Sequence, residues 1–333
     1  MKKGAGMRDD SHTGHPSAQA PAQHLPVLYA QVLQGLRVIG NGTYLDGTFG
    51  RGGHAGGVLR QLGPDGRLLV MDKDPEAIAV AERDFAPDPR VAIYRGSFAD
   101  LLDWQATAAG LDGVLFDLGV SSMQLDERER GFAYAEDAPL DMRMGSSGRT
   151  AADIMNTYDV AELTRVLREY GEEKFAAKIA RAIVREREIE PWTRSGRLVE
   201  LLYKEIPAPA RRTGGHPGKR TFQALRMEVN DELGALRRAI PAALGVIGVG
   251  GRVVVESYHS LEDRMVKRFF ADATKLDLPP DLPFVPEGAE PEMKLVIRGS
   301  ELADKAEIEH NPRAASVRLR SVERVREPKG GRR

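Results

Sequence analysis

A glycine-rich turn with an acidic residue on each side is the first group in this sequence that could do chemistry. The segment Asp46 to His54 reads DGTFGRGGH, and Asp72 follows roughly 20 residues after Gly50. Glycine lets the backbone approach a ligand closely and leaves N–H groups free to point at it. An acidic side chain at the distance of Asp72 is suited to hold the hydroxyl groups of a ribose. These residues predict a site for a nucleoside-containing cofactor.

The glycines alone leave the type of cofactor open. Gly50, Gly52 and Gly56 form GxGxxxG, which departs from the GxGxxG fingerprint of dinucleotide-binding proteins. Asp46 stands directly before the turn, where its carboxylate would repel a pyrophosphate and attract the ammonium of a methionyl group. The pattern favours S-adenosylmethionine over NAD without excluding NAD.

Two further polar segments follow apolar runs. Asp117 to Gln124 reads DLGVSSMQ, and Glu256 to Ser260 reads ESYHS. Ligands of open α/β sheets bind at the carboxyl ends of strands, so Asp117, Ser121 and His259 are candidate catalytic residues. Both segments could instead be ordinary capped turns whose polar side chains only bond to the backbone. No HExxH spacing surrounds His259, and we expect no metal site.

Alternating strands and helices must position these groups. Continuous apolar runs predict strands buried on both faces. A segment of helical period with proline in its first turn, 75–85, separates two of them. The pattern is typical of an α/β fold with a mostly parallel, doubly wound, Rossmann-like sheet. The first four predicted strands are Thr43–Asp46, Arg67–Asp72, Val91–Arg95 and Gly113–Asp117.

After Leu125 the pattern becomes mostly helical. Phe175, Ile179 and Ile183 recur at helical spacing beside a stripe of lysine and arginine. The α/β pattern then resumes with one long amphipathic helix through residues 225–240, a fifth strand at 250–257, and a closing antiparallel pair at 294–298 and 316–325. We therefore expect a helical domain, 126–216, inserted into a sheet domain formed by 24–125 and 217–326. A disordered tail, 1–23, and a basic tail, 327–333, would flank them.

The net charge conceals two basic segments. The chain has 48 Lys and Arg, 49 Asp and Glu, and no cysteine, which excludes disulfides, thiol nucleophiles and Cys-ligated metals. Residues 181–226 hold 11 basic against 5 acidic side chains, and residues 311–333 hold 8 against 2. No secretory signal and no apolar run of ~20 residues is seen, so we expect a cytoplasmic protein.

Several longer motifs, taken in order, resemble one family. They are HLPVL at 24–28, DGTFGRGGH at 46–54, DLGVSSMQ at 117–124, LD at 125–126, RGF at 130–132, PLDMRM at 139–144, GKRTFQALRMEVN at 218–230 and SYHSLEDR at 257–264. In this order they resemble the bacterial 16S rRNA cytosine-N4 methyltransferases, the RsmH or MraW family. The similarity extends from His24 to about Val325, and the two chain ends carry no implied role.

The resemblance implies a class I methyltransferase fold with a helical insertion, S-adenosylmethionine as donor, and a cytosine in the decoding region of 16S rRNA as acceptor. Whether free rRNA or the small ribosomal subunit is the partner, and whether the enzyme forms a homodimer, stays open. Matched motif by motif, the family's cofactor-binding residues are Gly52, Gly53, His54, Asp72, Phe98, Asp117 and Gln124. Chemistry alone would not have selected Phe98 or Gln124.

The exocyclic amine of cytosine is a weak nucleophile, and a carboxylate or carbonyl that accepts its N–H bonds would localise its lone pair and later take the proton. We expect Asp117 or adjacent carbonyls to do this, with Ser121 and His259 as secondary candidates. The candidate phosphate-binding residues are Arg143, Arg211, Arg212, Lys219 and Arg220. The alternatives are an NAD(P)-dependent oxidoreductase, and a non-catalytic RNA-binding module with a vestigial pocket.

Overall fold

A seven-stranded sheet organises the protein, whose computed structural model describes residues 26–213, 216–276 and 290–328. The strand order is β3-β2-β1-β4-β5-β7-β6, with β1 to β5 parallel and β7 antiparallel to both neighbours. This confirms the expected α/β class and mostly parallel sheet. The strands are β1 Thr43–Asp46, β2 Arg67–Asp72, β3 Val91–Arg95, β4 Leu111–Asp117, β5 Ile247–Ser257, β6 Met293–Leu295 and β7 Arg318–Arg324.

Helices cover both faces of the sheet. The part of the chain that joins β4 to β5 forms a separate layer of helices. They are α1 Tyr29–Leu36, α2 Gly53–Gln61, α3 Pro75–Asp84, α4 Ser122–Asp126, α5 Ala151–Thr157, α6 Val160–Glu169, α7 Ala176–Arg187, α8 Ser195–Glu205, α9 Ala208–Thr213, α10 Gly218–Asn230, α11 Glu232–Val246, α12 Ser260–Ala273 and α13 Lys305–His310. Short 3-10 turns occupy Phe98–Asp103, Gln105–Thr107, Arg128–Arg130 and Pro312–Ser316. Within the described residues, no helix is long and apolar enough to cross a membrane.

The first three strands have the predicted bounds, and the helix predicted at 75–85 is α3. The prediction of one long helix through residues 225–240 is wrong. Asp231 adopts a left-handed conformation with φ of 48°, which ends α10 and lets α11 start in a new direction. The closing pair is antiparallel as predicted, but β6 is shorter than the predicted 294–298.

Three clusters of buried side chains make up the core. One lies on each face of the sheet, and the third lies among the helices between β4 and α11. Phe222 and Leu225 of α10 belong to that helical cluster, which therefore extends past residue 216. The predicted tail 1–23 lies outside the described residues, and only 327–328 of the predicted basic tail lie within them.

Candidate active site

A row of acidic side chains crosses the carboxyl ends of four neighbouring strands. Asp117 of β4 is paired in register with Glu256 of β5, and Asp46 of β1 is paired with Leu115, two residues deeper. Strand side chains alternate between faces, so Asp46, Asp72, Asp117 and Glu256 all point to the face that carries α1 and α2. The register of the sheet thus gathers four carboxyl groups that are far apart in the sequence.

The glycine turn packs over this row, between β1 and α2. Gly50 has φ of 55°, and its N–H donates to Asp72 Oδ2 at 2.9 Å. Gly52 has φ of 76°, and a Cβ there would lie 2.6 Å from the Phe49 ring. The steric contact at Gly52 therefore requires glycine, and the positive φ at Gly50 favours it. The turn leads into the N-terminus of α2 at Gly53, where helix N–H groups favour an anionic ligand group.

The side chain of Asp72 is oriented by two backbone N–H groups. Besides the bond from Gly50, Oδ1 accepts a bond from Asp74 N–H at 2.9 Å. Burial raises the pKa of Asp72, and these two bonds oppose that rise. Phe98 begins the turn after β3, with its ring 5.2 Å from the Phe116 ring. The structure therefore places Asp72 beside the glycine turn, and Phe98 on the neighbouring loop.

Asp117 is held from three directions. Its N–H donates to Thr48 Oγ1 at 2.6 Å, and Tyr258 Oη donates to its Oδ1 at 2.9 Å. The second carboxylate oxygen lies 3.8 Å from His54 Nε2, which in turn is 3.1 Å from Glu256 Oε2. Both ring nitrogens of His54 and both carboxyl oxygens of Glu256 lack a hydrogen-bond partner among the described residues. The imidazole thus lies within ion-pair distance of two carboxyl groups but is hydrogen-bonded to neither.

Acidic side chains outnumber basic ones in this row, and burial opposes their ionisation. Burial raises the pKa of Asp46 to about 7. Burial, and secondly the neighbouring Glu256, raises the pKa of Asp117 to about 7. Burial also raises the pKa of Glu256 well above its usual range. A cation bound beside such carboxyl groups stabilises their ionised form.

Ser121 and Gln124 form a capping box at the start of α4. Ser121 Oγ accepts from Gln124 N–H, and Gln124 Oε1 accepts from Ser121 N–H. The Gln124 side chain also donates from Nε2 to Asp74 Oδ2 at 2.8 Å. Ser121 borders the glycine turn at Gly50, but the polar atoms of both residues are engaged in these local bonds. Gln124 contacts Asp74, the residue whose N–H orients Asp72.

His259 caps α12. Its Nδ1 accepts from Glu262 N–H, and its Nε2 lies 3.1 Å from Glu262 Oε1. Asp117 is reached instead by the neighbouring Tyr258. The structure thus places His259 in the capped-turn arrangement that the sequence left open beside the catalytic one.

Among the candidate phosphate-binding residues, Arg143 lies apart from the others, which are on or near α9 and α10. Arg143 forms a two-bond ion pair with Asp141, from Nε at 2.8 Å and Nη2 at 2.7 Å. Arg211 lies over the Tyr203 ring at 5.4 Å, Lys219 is exposed at the start of α10, and Arg220 donates to Glu172 O. The side chain of Arg212 lies outside the described part of the chain.

An aromatic cluster adjoins the basic residues on α9 and α10. The rings of Tyr134 and His216 stack at 4.4 Å, and Tyr203 meets His216 edge-on at 5.8 Å. Tyr203 is 43% exposed. Exposed rings beside cationic side chains are suited to stack on unpaired bases of a nucleic acid.

The sequence alone does not select Tyr258, Thr48 or Glu256 as site residues. A tyrosine just after a strand is more often a packing residue, and a threonine within a glycine turn carries no distinct signal. Glu256 ends a strand as Asp117 does, and the register of β4 with β5 could have singled it out.

Two groups in the described chain have possible metal-ligand atoms within 4.8 Å of one another. The first is His54 with Asp117 and Glu256, and the second is Glu232 with His259 and Glu262. In the second group Glu232 is bound by Arg226 through two hydrogen bonds. The first group coincides with the row of carboxyl groups beside the glycine turn.

Similarity to known proteins extends over most of the chain. Residues 21–325 match the MraW methylase family. A protein described as ribosomal RNA small subunit methyltransferase H from a Nocardioides species is 63% identical over 309 residues, which cover 91% of this chain and 97% of that relative. The protein of the same description from Stenotrophomonas maltophilia is 56% identical over 322 residues, covering 96% of this chain and 98% of the relative.

These matches decide between the alternatives that the glycine turn had left open. A methylase uses a cationic methyl donor, which agrees with the excess of buried carboxyl groups around the turn, whereas an oxidoreductase would bring a pyrophosphate to the same place. The expected resemblance is confirmed: the protein belongs to the MraW methylase family and is an S-adenosylmethionine-dependent methyltransferase of the class I α/β fold.

Proposed function

We propose that the protein transfers a methyl group from S-adenosylmethionine to the exocyclic N4 amine of one cytosine in the decoding region of 16S rRNA, in the cytoplasm. The names of its relatives support the RNA substrate. The observation that carries the reaction type is the position of Asp117 beside the glycine turn, where its backbone N–H bonds to Thr48 and its carboxyl group accepts a bond from Tyr258.

The row of carboxyl groups fits the donor. S-adenosylmethionine supplies an electrophilic methyl on a positively charged sulfur and also carries an ammonium group. The unbonded carboxyl oxygens of Glu256, and Asp46 below the turn, provide the negative charge that such a cation needs. We propose that Gly52, Gly53 and His54 hold its methionyl end through the backbone, and that Asp72 holds the ribose. Phe98 would pack near the adenine, and Gln124 would act through Asp74.

Asp117 is proposed to receive the target amine. Its ionised carboxylate accepts an N–H bond from the amine, which localises the nitrogen lone pair, and takes the proton released on methyl transfer. Tyr258 donates to one carboxylate oxygen and leaves the other free for the amine. Because the pKa of Asp117 is about 7, the group is ionised above neutral pH and still basic enough to accept a proton.

We propose that the helical region 126–216, together with α10, binds the RNA around the target base. Arg211, Lys219 and Arg220 would contact phosphates, and the rings of Tyr203 and His216 would stack on bases exposed by local unpairing. Arg143 is paired with Asp141 through two hydrogen bonds, and an RNA phosphate would compete with that carboxylate for its guanidinium group. Arg212 is retained as a candidate from the sequence.

One assay tests the function. Purified protein is incubated with labelled S-adenosylmethionine and with small ribosomal subunits that lack the modification, or with naked 16S rRNA, followed by nucleoside analysis. We expect N4-methylcytidine from one of these acceptors, and the comparison identifies which. Binding of RNA without transfer would favour the non-catalytic alternative. Sedimentation of the same preparation shows whether the enzyme is a homodimer.

The role of Asp117 has its own test. Asp117→Asn keeps the shape of the side chain but cannot take the proton, and we expect the transfer rate to fall by about 10²- to 10⁴-fold, the usual contribution of a general base. Binding of S-adenosylmethionine should weaken much less than the transfer rate falls, because Asp46 and Glu256 remain beside the turn. Full turnover by Asp117→Ala with normal donor affinity would remove Asp117 from the mechanism.

A further inference from the structure

Two side chains that the proposed reaction does not use join the donor site to the helical region. On one side is the turn of Lys73 and Asp74, directly after β2 and Asp72. On the other is the segment 140–144, which belongs to the PLDMRM motif. Arg130, from the RGF motif, and Asn230, the last residue of α10, each bond to both.

Arg130 spans the junction with the two arms of its guanidinium group. Nη1 donates to Asp74 Oδ2 at 2.6 Å, and Nη2 donates to the carbonyl oxygens of Arg143 at 3.1 Å and Met144 at 3.0 Å. The Arg130 side chain is 15% exposed and that of Asp74 is 1% exposed. A planar fork of donors can hold two acceptor sites at fixed separation, which a single ammonium group cannot do.

Asn230 joins the same two segments a second time. Its Oδ1 accepts from Lys73 Nζ at 3.2 Å and from Met144 N–H at 2.8 Å. Its Nδ2 donates to Met142 O at 2.7 Å and to Arg226 O at 2.9 Å. The amide thus has two bonds to the segment 140–144 and one to the turn after β2.

The backbone between these bonds is in an unfavourable conformation. Met142 is fully buried and has φ of 61°, the left-handed region that costs an ordinary residue about 1 kcal/mol or more. Its N–H donates to Arg130 O at 3.0 Å, and its carbonyl accepts from Asn230. Such conformations persist where surrounding contacts over-determine them. Arg130 and Asn230 supply those contacts here.

The junction connects to the donor site through Asp74. The N–H of Asp74 donates to Asp72 Oδ1 at 2.9 Å, and its own carboxylate accepts from Arg130, Gln124 and Glu76 N–H. The position of Asp74 therefore sets the direction of the Asp72 carboxylate. Among the described residues, Arg130 is the one cationic side chain within 3 Å of the buried Asp74 carboxylate. Removing Arg130 would therefore leave that carboxylate without a positive partner.

We propose that Arg130 is a positioning residue for the donor site: it holds the turn of Lys73 and Asp74 against the segment 140–144 and thereby orients Asp72, with Asn230 reinforcing the same junction. This inference rests on the proposed placement of the donor ribose at Asp72. It gives a role to the RGF and PLDMRM motifs, whose side chains do not reach Asp117 in the described structure.

The test compares Arg130→Gln and Arg130→Lys with Arg128→Gln. Arg128 lies on the same 3-10 turn, is exposed, and pairs only with the exposed Glu136 among the described residues, so it is a matched control. The readouts are the dissociation constant of S-adenosylmethionine by calorimetry, KM for the donor and kcat, and thermal unfolding. We expect Arg130→Gln to weaken donor binding about 10-fold, because the effect is transmitted through Asp74 and Asp72 and is smaller than the loss of a charge-assisted hydrogen bond to the donor itself.

The conservative variant separates positioning from folding. Arg130→Lys keeps a positive charge for Asp74 but cannot also span the two carbonyls, so donor affinity should recover in part. Arg128→Gln should bind the donor as the wild type does. A residue needed only for folding would lower the melting temperature and the active fraction while leaving KM and the dissociation constant unchanged. That pattern in Arg130→Gln would overturn the proposal.

A second variant provides the test if Arg130→Gln does not fold. Asn230→Asp removes the Nδ2 donors and keeps an acceptor for Lys73, and it should also raise KM for the donor more than it lowers kcat. An unchanged KM in a folded Asn230→Asp protein would contradict the inference. Failure of the proposed function looks different, because the wild type would then bind the donor without methylating rRNA, or would not bind it.

Discussion

At the scale of single residues, the site combines several buried carboxyl groups with one nearby imidazole. Asp46, Asp117 and Glu256 surround His54, and burial raises the pKa of all three acids. A buried charge without a partner costs several kcal/mol, so these groups either hold protons or pair with a cationic ligand. Donor binding and proton binding should therefore compete at this site.

The ionisation of Asp46 can be measured through its effect on the free energy of unfolding. Its pKa is about 7 in the folded protein against a usual 3.8, so the unfolded chain ionises first as pH rises. The free energy of unfolding contributed by Asp46 therefore falls between about pH 4 and pH 7 and is constant above. Asp46→Asn keeps the acceptor for Thr48 N–H and removes the ionisation. We expect it to be more stable than the wild type at pH 8, by up to about 4 kcal/mol, at about 1.4 kcal/mol for each pH unit between about 4 and 7.

Denaturant unfolding at pH 5 and pH 8 checks this prediction. The exposed Asp65→Asn serves as the control and should show the same small effect at both pH values. If the stability difference between Asp46→Asn and the wild type did not grow in favour of the variant from pH 5 to pH 8, Asp46 would be ionised normally. The same variant should bind S-adenosylmethionine more weakly, because it lacks the negative charge.

At the scale of elements, apolar periodicity predicted strands well and helix ends poorly. β1, β2 and β3 are short continuous apolar runs between turn residues, and their bounds follow directly from that pattern. The break between α10 and α11 could not be read in this way. Asp231 changes the chain direction through one left-handed residue, which leaves the apolar spacing on either side intact. Asn230 is placed at the junction with Lys73 by that break.

The cap of α12 gives a prediction at this scale. His259 is the N-cap residue of α12. Asn at this position would also cap the helix well, but it could not act as a catalytic base. His259→Ala should lose about 1 kcal/mol of stability, and His259→Asn should recover most of it. Thermal or denaturant unfolding of the two variants measures this. Equal destabilisation in both would argue against capping, and impaired methyl transfer by a stable His259→Asn protein would indicate a role for His259 in the reaction.

At the scale of the whole molecule, the location of the site was predictable and its internal contacts were not. Asp72, Asp117 and the glycine turn stand at strand ends, where ligands of such sheets bind. The bond of Tyr258 to Asp117, and the position of His54 between two carboxyl groups, depend on the register of β4 with β5 and on how α2 packs. Phe98 and Gln124 came only from the family resemblance, because neither residue type signals a ligand.

The distribution of charge over the molecule predicts a salt dependence. A net charge of −1 conceals the basic residues near α9 and α10. Replacing Arg211, Arg212, Lys219 and Arg220 with Ala should weaken RNA binding and reduce the slope of log affinity against log salt by about 0.7 to 0.9 for each phosphate that is no longer neutralised. Arg237→Ala with Arg238→Ala, on the exposed side of α11, is the control. An unchanged slope in the fourfold variant would place the RNA elsewhere.

The long segment of chain between β4 and β5 determines when, during synthesis, the enzyme can first transfer a methyl group. β4 ends at Asp117 and its neighbour β5 begins at Ile247, so the ribosome delivers the whole helical layer before the strand that carries Glu256 and leads to Tyr258. A nascent chain halted before β5 has the glycine turn and Asp72 but lacks the tyrosine that bonds to Asp117. Competence for methyl transfer is therefore acquired late in synthesis, when the last part of the sheet closes.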